Sequence, residues 1–288
     1  MYFPQKLRQV VWAASIIIAV LTSSILIFQG KYWPEAPYYI PTYMTINYAF
    51  VLCILIAIGP PAVVEFNNSR WLKQVDKNIP PFMMDITESI RSGLPMIKAL
   101  EEATKRDYGP INEKLETAVV NFSLTSDLEG SLKWLGESLL KPSGKRMATI
   151  LLEAHNSGGR MLDVLDTSIN MFTSLDEYRE EKLSNLNPYI ILVYISTLIF
   201  LFIGYVLIAQ FLEPLSKTSL DVPGVANLVG KMLSINYYKA IVFWAAIIEG
   251  LVGGLVAGKI TDSRITAGLY HSVFLIMMTY GFFNILLP

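Results

Sequence analysis

The sequence predicts an all-α, polytopic membrane protein with about five transmembrane helices and a cytoplasmic six-helix bundle. Three observations predict it. Charged residues make up only 16% of the 288-residue chain and the mean hydropathy is +0.44, whereas soluble domains carry roughly 25% charged residues. Five runs reach the length of about 20 mostly apolar residues that a spanning helix needs. A polar stretch over residues 65–187 separates the second run from the third, and its apolar residues recur at helical rather than strand spacing.

The five runs occupy residues 10–28, 43–64, 189–212, 237–257 and 267–287. The first is longer than a typical signal-peptide core and no small-residue cleavage pattern precedes Lys31 and Trp33, so it reads as an uncleaved anchor. Lys6 and Arg8 ahead of it place the amino terminus in the cytoplasm, and five crossings then leave the carboxyl terminus outside. The loop 29–42, with one basic residue among Pro, Tyr and Trp, suits an external turn, while Lys259 and Arg264 fall in an internal loop. Segment 213–236 is expected outside although it holds Lys217 and Lys231 against Glu213 and Asp221. The organisation is thus a membrane region over 1–64, a cytoplasmic domain over 65–187 and a second membrane region over 188–288.

The cytoplasmic stretch is net acidic, with fifteen Lys and Arg against nineteen Asp and Glu. Its helical series are Ile111, Leu115, Ala118, Val119 and Phe122; then Leu128, Leu132, Leu135 and Leu139; then Met147, Ile150, Leu151 and Ala154. Breaks fall at Ser92-Gly93-Leu94-Pro95, Tyr108-Gly109-Pro110, Lys141-Pro142-Ser143-Gly144 and Ser157-Gly158-Gly159. Ser126 to Glu129 reads as a capping box, the Ser accepting from a free amide and the Glu returning the bond. A last helix begins near Met161 and runs through Leu186, with Pro188 expected at the first position of the third span, where its missing amide costs little. Such a helix couples the bundle to the membrane.

Several chemistries lack their residues. A net charge of −1 gives no basic surface for nucleic acid. The single Cys53 makes no intrachain disulfide, and His155 and His271 are too far apart in sequence to form a metal-ligand cluster. Ser143-Gly144-Lys145-Arg146 lacks the first glycine and the hydroxyl of a phosphate-binding loop, and no protease, hydrolase or dinucleotide motif occurs. No catalytic centre, cofactor or metal site is expected.

Two local patterns carry a family resemblance. They are Arg91-Ser92-Gly93-Leu94-Pro95-Met96-Ile97-Lys98-Ala99-Leu100, and Glu153-Ala154-His155-Asn156-Ser157-Gly158-Gly159-Arg160-Met161-Leu162-Asp163-Val164-Leu165. Occurring in this order ahead of a membrane span, they make residues 80–186 resemble the type II secretion system F domain. That domain belongs to inner-membrane platform proteins of secretion systems, type IV and tight-adherence pili, and archaella. The resemblance implies a six-helix bundle and a platform on which a cytoplasmic ATPase acts to assemble pilin-like subunits. One such domain, with two spans before it and three after, is more like tight-adherence and archaeal members than those carrying two. The platform then works as a homodimer or beside a second platform subunit.

Each singled-out residue has a plain reading beside the functional one. Gly93, Pro95, Ser157, Gly158 and Gly159 either shape turns or present a family surface. Glu153 either contacts a partner or pairs with Arg160. Lys141, Lys145, Arg146 and Arg160 flank one helix and form either a basic patch for docking the ATPase or a solvated surface. Glu249 lies near the centre of the fourth span, where a charge costs roughly 2.5–3.5 kcal/mol on insertion scales, so it is either protonated, paired within the bundle, or facing a partner helix. Gly250, Gly254 and Gly258 repeat every four residues and offer a small-residue face to a pilin-like helix or second platform subunit. The leading reading is a non-enzymatic platform in the cell membrane, surrounded by lipid and free of nucleic acid. The alternative is a transporter or channel subunit with a midplane Glu249 site, although no inverted repeat is evident; a membrane sensor is a third option.

Overall fold

A computed structural model describes residues 2–29, 32, 39–214 and 234–287. Lys31, Trp33, Lys217, Asp221 and Lys231, used above for topology, lie outside the described residues. Among the described residues the regular structure is helical throughout: α1 (Gln5–Phe28), α2 (Met44–Arg91), α3 (Met96–Ala103), α4 (Pro110–Thr125), α5 (Leu128–Ser138), α6 (Pro142–Asn156), α7 (Met161–Tyr205), α8 (Ile235–Asp262) and α9 (Leu269–Leu286). A π-helical stretch, Val206–Leu212, follows α7. Five of the described helical segments are long and apolar enough to cross a membrane, as an all-α polytopic membrane protein requires.

The chain divides into two compact units, one of residues 1–2 and 68–185, the other of residues 3–67 and 186–288. In the first, α2 supplies Val75, Ile79, Phe82, Met83 and Ile86, spaced to fall on one helical face. Met96, Ala99, Leu100 and Ala103 of α3 join them, with Ile111, Leu115 and Ala118 of α4, Leu132 and Leu135 of α5, Met147, Leu151 and Ala154 of α6, and Leu165 and Phe172 of α7. Phe82 packs edge-on against Tyr108 at 5.3 Å between ring centroids. Gly136 of α5 and Gly144 of α6 let those helices touch, since a Cβ on Gly136 would overlap Ala148 and one on Gly144 would overlap Leu139.

The turn after α2 has a defined geometry. Gly93 takes φ +97°, its N–H donates to Ile90 O at 2.9 Å, and the Leu94 N–H donates to Ser89 O at 3.1 Å. This pair of bonds is a Schellman motif, and it needs a residue that tolerates positive φ. Pro95, extended at φ −60° and ψ 150°, then stands at the N-cap of α3.

Two local expectations need correction. Asp127, not Ser126, caps α5: its Oδ1 accepts from Gly130 N at 2.9 Å, while Ser126, at φ 56°, closes α4. An Asp side chain reaches the same free amide, so the Ser is released to take the left-handed position. Pro188 lies inside α7 and not at a helix start; a single proline removes one hydrogen bond while the helix continues on both sides of it. α2 likewise runs unbroken past Glu65 and through Pro60, Pro61, Pro80 and Pro81.

In the second unit Val51, Leu201, Ile208, Phe243, Ala246, Ile247, Ile276 and Phe283 form the core. Large apolar side chains such as Ile17, Leu21, Ile191, Ile199 and Phe202 remain on the outside of α1 and α7, as a lipid solvent allows. Arg8 of α1 pairs with the buried Glu65 of α2, donating from Nε at 2.9 Å and from a terminal nitrogen at 2.6 Å. The start of α1 and the end of α2's apolar run are therefore at the same end of this unit.

Candidate functional site

Polar groups inside the membrane unit are few and mostly satisfied by one another. Trp244 Nε1 donates to Asn47 Oδ1 at 2.9 Å, and Asn47 Nδ2 donates to Pro41 O at 2.8 Å. Tyr194 OH and His271 Nδ1 are 2.6 Å apart. Ser272 Oγ donates to Leu251 O at 2.8 Å. Each bond removes a group that is costly to leave unpaired in an apolar medium.

Glu249 is less completely bonded, as is Tyr48, whose buried hydroxyl has no hydrogen-bond partner among the described residues. Ser196 Oγ of α7 donates to Glu249 Oε1 at 3.0 Å, while Oε2 is buried and has no hydrogen-bond partner among the described residues. Around it an open groove of about 390 Å³ runs between α7 and α8, lined by Leu192, Val193, Ser196, Thr197, Val252 and Gly253. Thr197 Oγ1 donates to its own helix at Val193 O, 3.2 Å away, so Ser196 is the hydroxyl that faces the carboxyl. Sequence reasoning found Glu249 but not Ser196, although adjacent Ser and Thr in an otherwise apolar run were a usable signal.

Gly250, Gly254 and Gly258 pack against the chain's own residues Leu275, Ser272 and Gly268. All three are buried against α9 and the turn before it: a Cβ on Gly254 would overlap the Ser272 backbone, one on Gly258 the Gly268 backbone, and one on Gly250 would press Leu275 Cβ at 3.2 Å. The four-residue spacing does make a close-packing face, and the chain's own next helix occupies it. Glu249 and Gly253 sit on the neighbouring side of α8, facing the groove.

The four basic residues do not form one patch. Lys141, Lys145 and Arg146 are at the start of α6, and Arg160 is beyond its end. A rise of about 1.5 Å per residue puts the ends of this helix on the order of 20 Å apart. Lys141 is moreover a packing residue: its ammonium pairs with Asp76, whose side chain is only 10% exposed and also accepts from Ser143 Oγ, with an Arg179 nitrogen 3.6 Å away. Lys145 approaches Glu137 at 3.8 Å, and Arg146 and Arg160 are exposed.

Glu153 touches the Ser157 turn through its backbone: its carbonyl accepts from Ser157 N at 2.9 Å and from Ser157 Oγ at 2.7 Å. Among the described residues no ion pair joins it to Arg160. Gly158 takes φ 53°, and Gly158–Arg160 forms a short 3₁₀ turn into α7.

Asp85 is a second anchor that sequence reasoning missed. Arg106 lies 2.5 Å from its Oδ1, and Tyr108 OH donates to Oδ2 at 2.5 Å. Burial pushes this carboxyl up, but the hydrogen bonds from Arg106 and Tyr108 and the Arg106 charge outweigh it and leave it below its ordinary value. Burial and the Asp85 contact push the Tyr108 hydroxyl up. Since the folded carboxyl titrates below the unfolded one, its stabilisation is full above the unfolded value and is lost as pH falls through the folded one. Wild type should therefore melt higher than Asp85→Asn in detergent at about pH 6, and the two curves should converge toward about pH 3. A difference that persists in acid would show that geometry, not charge, is what Asp85 contributes.

Residues 82–209 match the family model of the type II secretion system (T2SS), protein F. Over 235 residues the chain is 26% identical to a curated protein of Methanocaldococcus jannaschii described as uncharacterized, covering 80% of this chain and 37% of that one. The chain thus spans little more than a third of the length of this relative. No solved structure matches it. The family model covers both the core-forming part of α7 and its apolar run, and the family is one of membrane platform proteins in secretion and pilus systems. Residues 82–209 of this multi-pass membrane protein are therefore similar to the T2SS protein F family.

Proposed function

We propose that the protein is a non-enzymatic membrane platform of a type IV pilus, archaellum or type II secretion-like machine. It docks a cytoplasmic ATPase and couples its motion to the insertion of pilin-like subunits into a filament. The observation that carries this reading is the similarity of residues 82–209 to the F family, in a chain with five apolar helices. In this reading the amino terminus and residues 65–187 are cytoplasmic, the carboxyl terminus is outside, and the platform acts as a pair, with itself or with a second such subunit. Supporting the orientation, Lys6 and Arg8 lie in the first turn of α1, ahead of its apolar run, and Arg8 pairs with Glu65 where the apolar run of α2 ends.

Coupling has a physical route in helix continuity. α2 and α7 each carry core side chains of the first unit and an apolar run on one unbroken helix.

Affinity purification of the tagged protein from its own host in mild detergent, followed by mass spectrometry, tests the reading. Recovery of a secretion-type ATPase or pilin-like subunits is expected. Their reproducible absence, together with solute flux through Glu249-containing proteoliposomes, would replace the platform by the transporter. A docking role for these charges is tested by reversing Lys145 and Arg146 at one end of α6 and, in a separate variant, Arg160 beyond the other, while leaving Lys141, which holds Asp76. Loss of ATPase recovery by tenfold or more, with unchanged Tm, is expected, whereas retained recovery means these charges are only solvated.

A further inference from the structure

The Glu249 groove is a built acceptor site that none of the described residues fills. Glu249 is the fifteenth of the twenty-eight residues of α8. At about 1.5 Å per residue it lies on the order of 20 Å from either helix end, near the middle of a hydrocarbon layer about 30 Å thick. Its Oε1, at the groove, holds one hydrogen bond from Ser196, and its Oε2 holds none among the described residues. A carboxylate accepts about four hydrogen bonds, and the terminal torsion that exchanges its two oxygens is soft. The remaining lining is apolar or small, with Leu192, Val193, Val252 and Gly253, and Val252 is 51% exposed.

We infer that this groove receives a transmembrane helix of a partner protein that carries a hydrogen-bond donor at mid-membrane depth, a Lys, Arg, free amino group or amide, and that Glu249 receives the donor. The chemistry selects this occupant. Lipid acyl chains carry no donor, and lipid headgroups stay near the interfaces, roughly 15 Å from the midplane. A helix brings a donor to that depth and also covers the apolar lining. Gly253 lets Val193 of α7 pack closely against α8, since a Cβ there would lie 3.0 Å from Val193 Cγ1, and the small Ser196 side chain leaves the carboxyl within reach of the groove. On the platform reading, on which this inference rests, the helix belongs to the pilin-like subunit being handled. The site then discriminates by the donor: a helix lacking it leaves the acceptor unpaired.

The test places a photo-crosslinking residue at Val252 in the full-length protein, in membranes of its own host, with a control at Met277, which is exposed on α9 and does not line the groove. The expected result is capture of one membrane protein at 252 and not at 277, the crosslinked peptide mapping to a spanning helix with a donor in its apolar run. Replacing that donor by Leu should reduce capture at least tenfold. Glu249→Leu should do the same with Tm and ATPase recovery unchanged, and Glu249→Gln, which keeps one acceptor oxygen, should retain part of the capture. Crosslinks to lipid alone, to a second copy of this chain, or to a helix whose donor is dispensable each overturn the inference. If ATPase recovery persists in those cases the platform reading stands without it; if no ATPase is recovered from wild type, that reading has failed first.

Discussion

Gly254→Leu should cost more than about 3 kcal/mol and lower Tm in detergent by roughly 10 °C, with loss of protein from the membrane. The Gly254 Cα faces the Ser272 backbone, and a side chain there overlaps main-chain atoms that no rotamer change moves aside. Relief requires α8 and α9 to separate, which also breaks the Ser272 Oγ bond to Leu251 O. Gly281→Ala is the control, because a Cβ at Gly281 meets nothing within 4 Å. A Gly254→Leu protein that melts like wild type but fails to associate with another membrane protein would return the glycine face to an intermolecular role.

Asp76→Ala should destabilise the first unit by about 3 kcal/mol, the order expected when one member of a buried ion pair is removed. It strips Lys141 of its partner and Ser143 of its acceptor, so contacts joining α2 to the start of α6 are lost together. Arg179 contributes less, because it is half-exposed and 3.6 Å away. Combining Asp76→Leu with Lys141→Met should recover part of the loss, since an apolar pair replaces two buried charges without leaving either alone. Equal Tm values for wild type and Asp76→Ala, measured by thermal denaturation of the detergent-solubilised full chain, would reject this anchoring role.

These two sites show which inferences a sequence alone permits. The apolar series of α4, α5 and α6 were legible because one buried face at helical spacing leaves a periodic trace. Gly93, Pro95, Gly109 and Gly158 were legible as breaks because positive φ and a fixed φ are properties of single residues. The glycine spacing in α8 correctly announced close packing, yet spacing names a face and not its occupant. Only the return of α9 through Gly268 and Ser272 decided that the occupant is the same chain. Likewise Lys141 and Arg160 looked equivalent until α6 placed them at opposite ends and Asp76 took up one of them.

The sequence by itself determined the membrane class, the five apolar runs, the helical character of the polar stretch and the family to which that stretch is similar. The first three follow from composition and local periodicity, which are sums over neighbouring residues, and the resemblance from the two patterns Arg91–Leu100 and Glu153–Leu165. The tertiary structure alone decided that α2 and α7 run unbroken across their polar boundaries, that Asp127 caps α5, that Ser196 faces Glu249, and that Asp76 and Asp85 anchor their surroundings. Each of these depends on pairs far apart in the chain or on competition between adjacent caps. Such pairings are fixed by where the backbone brings side chains together in three dimensions, and local sequence carries no record of that geometry.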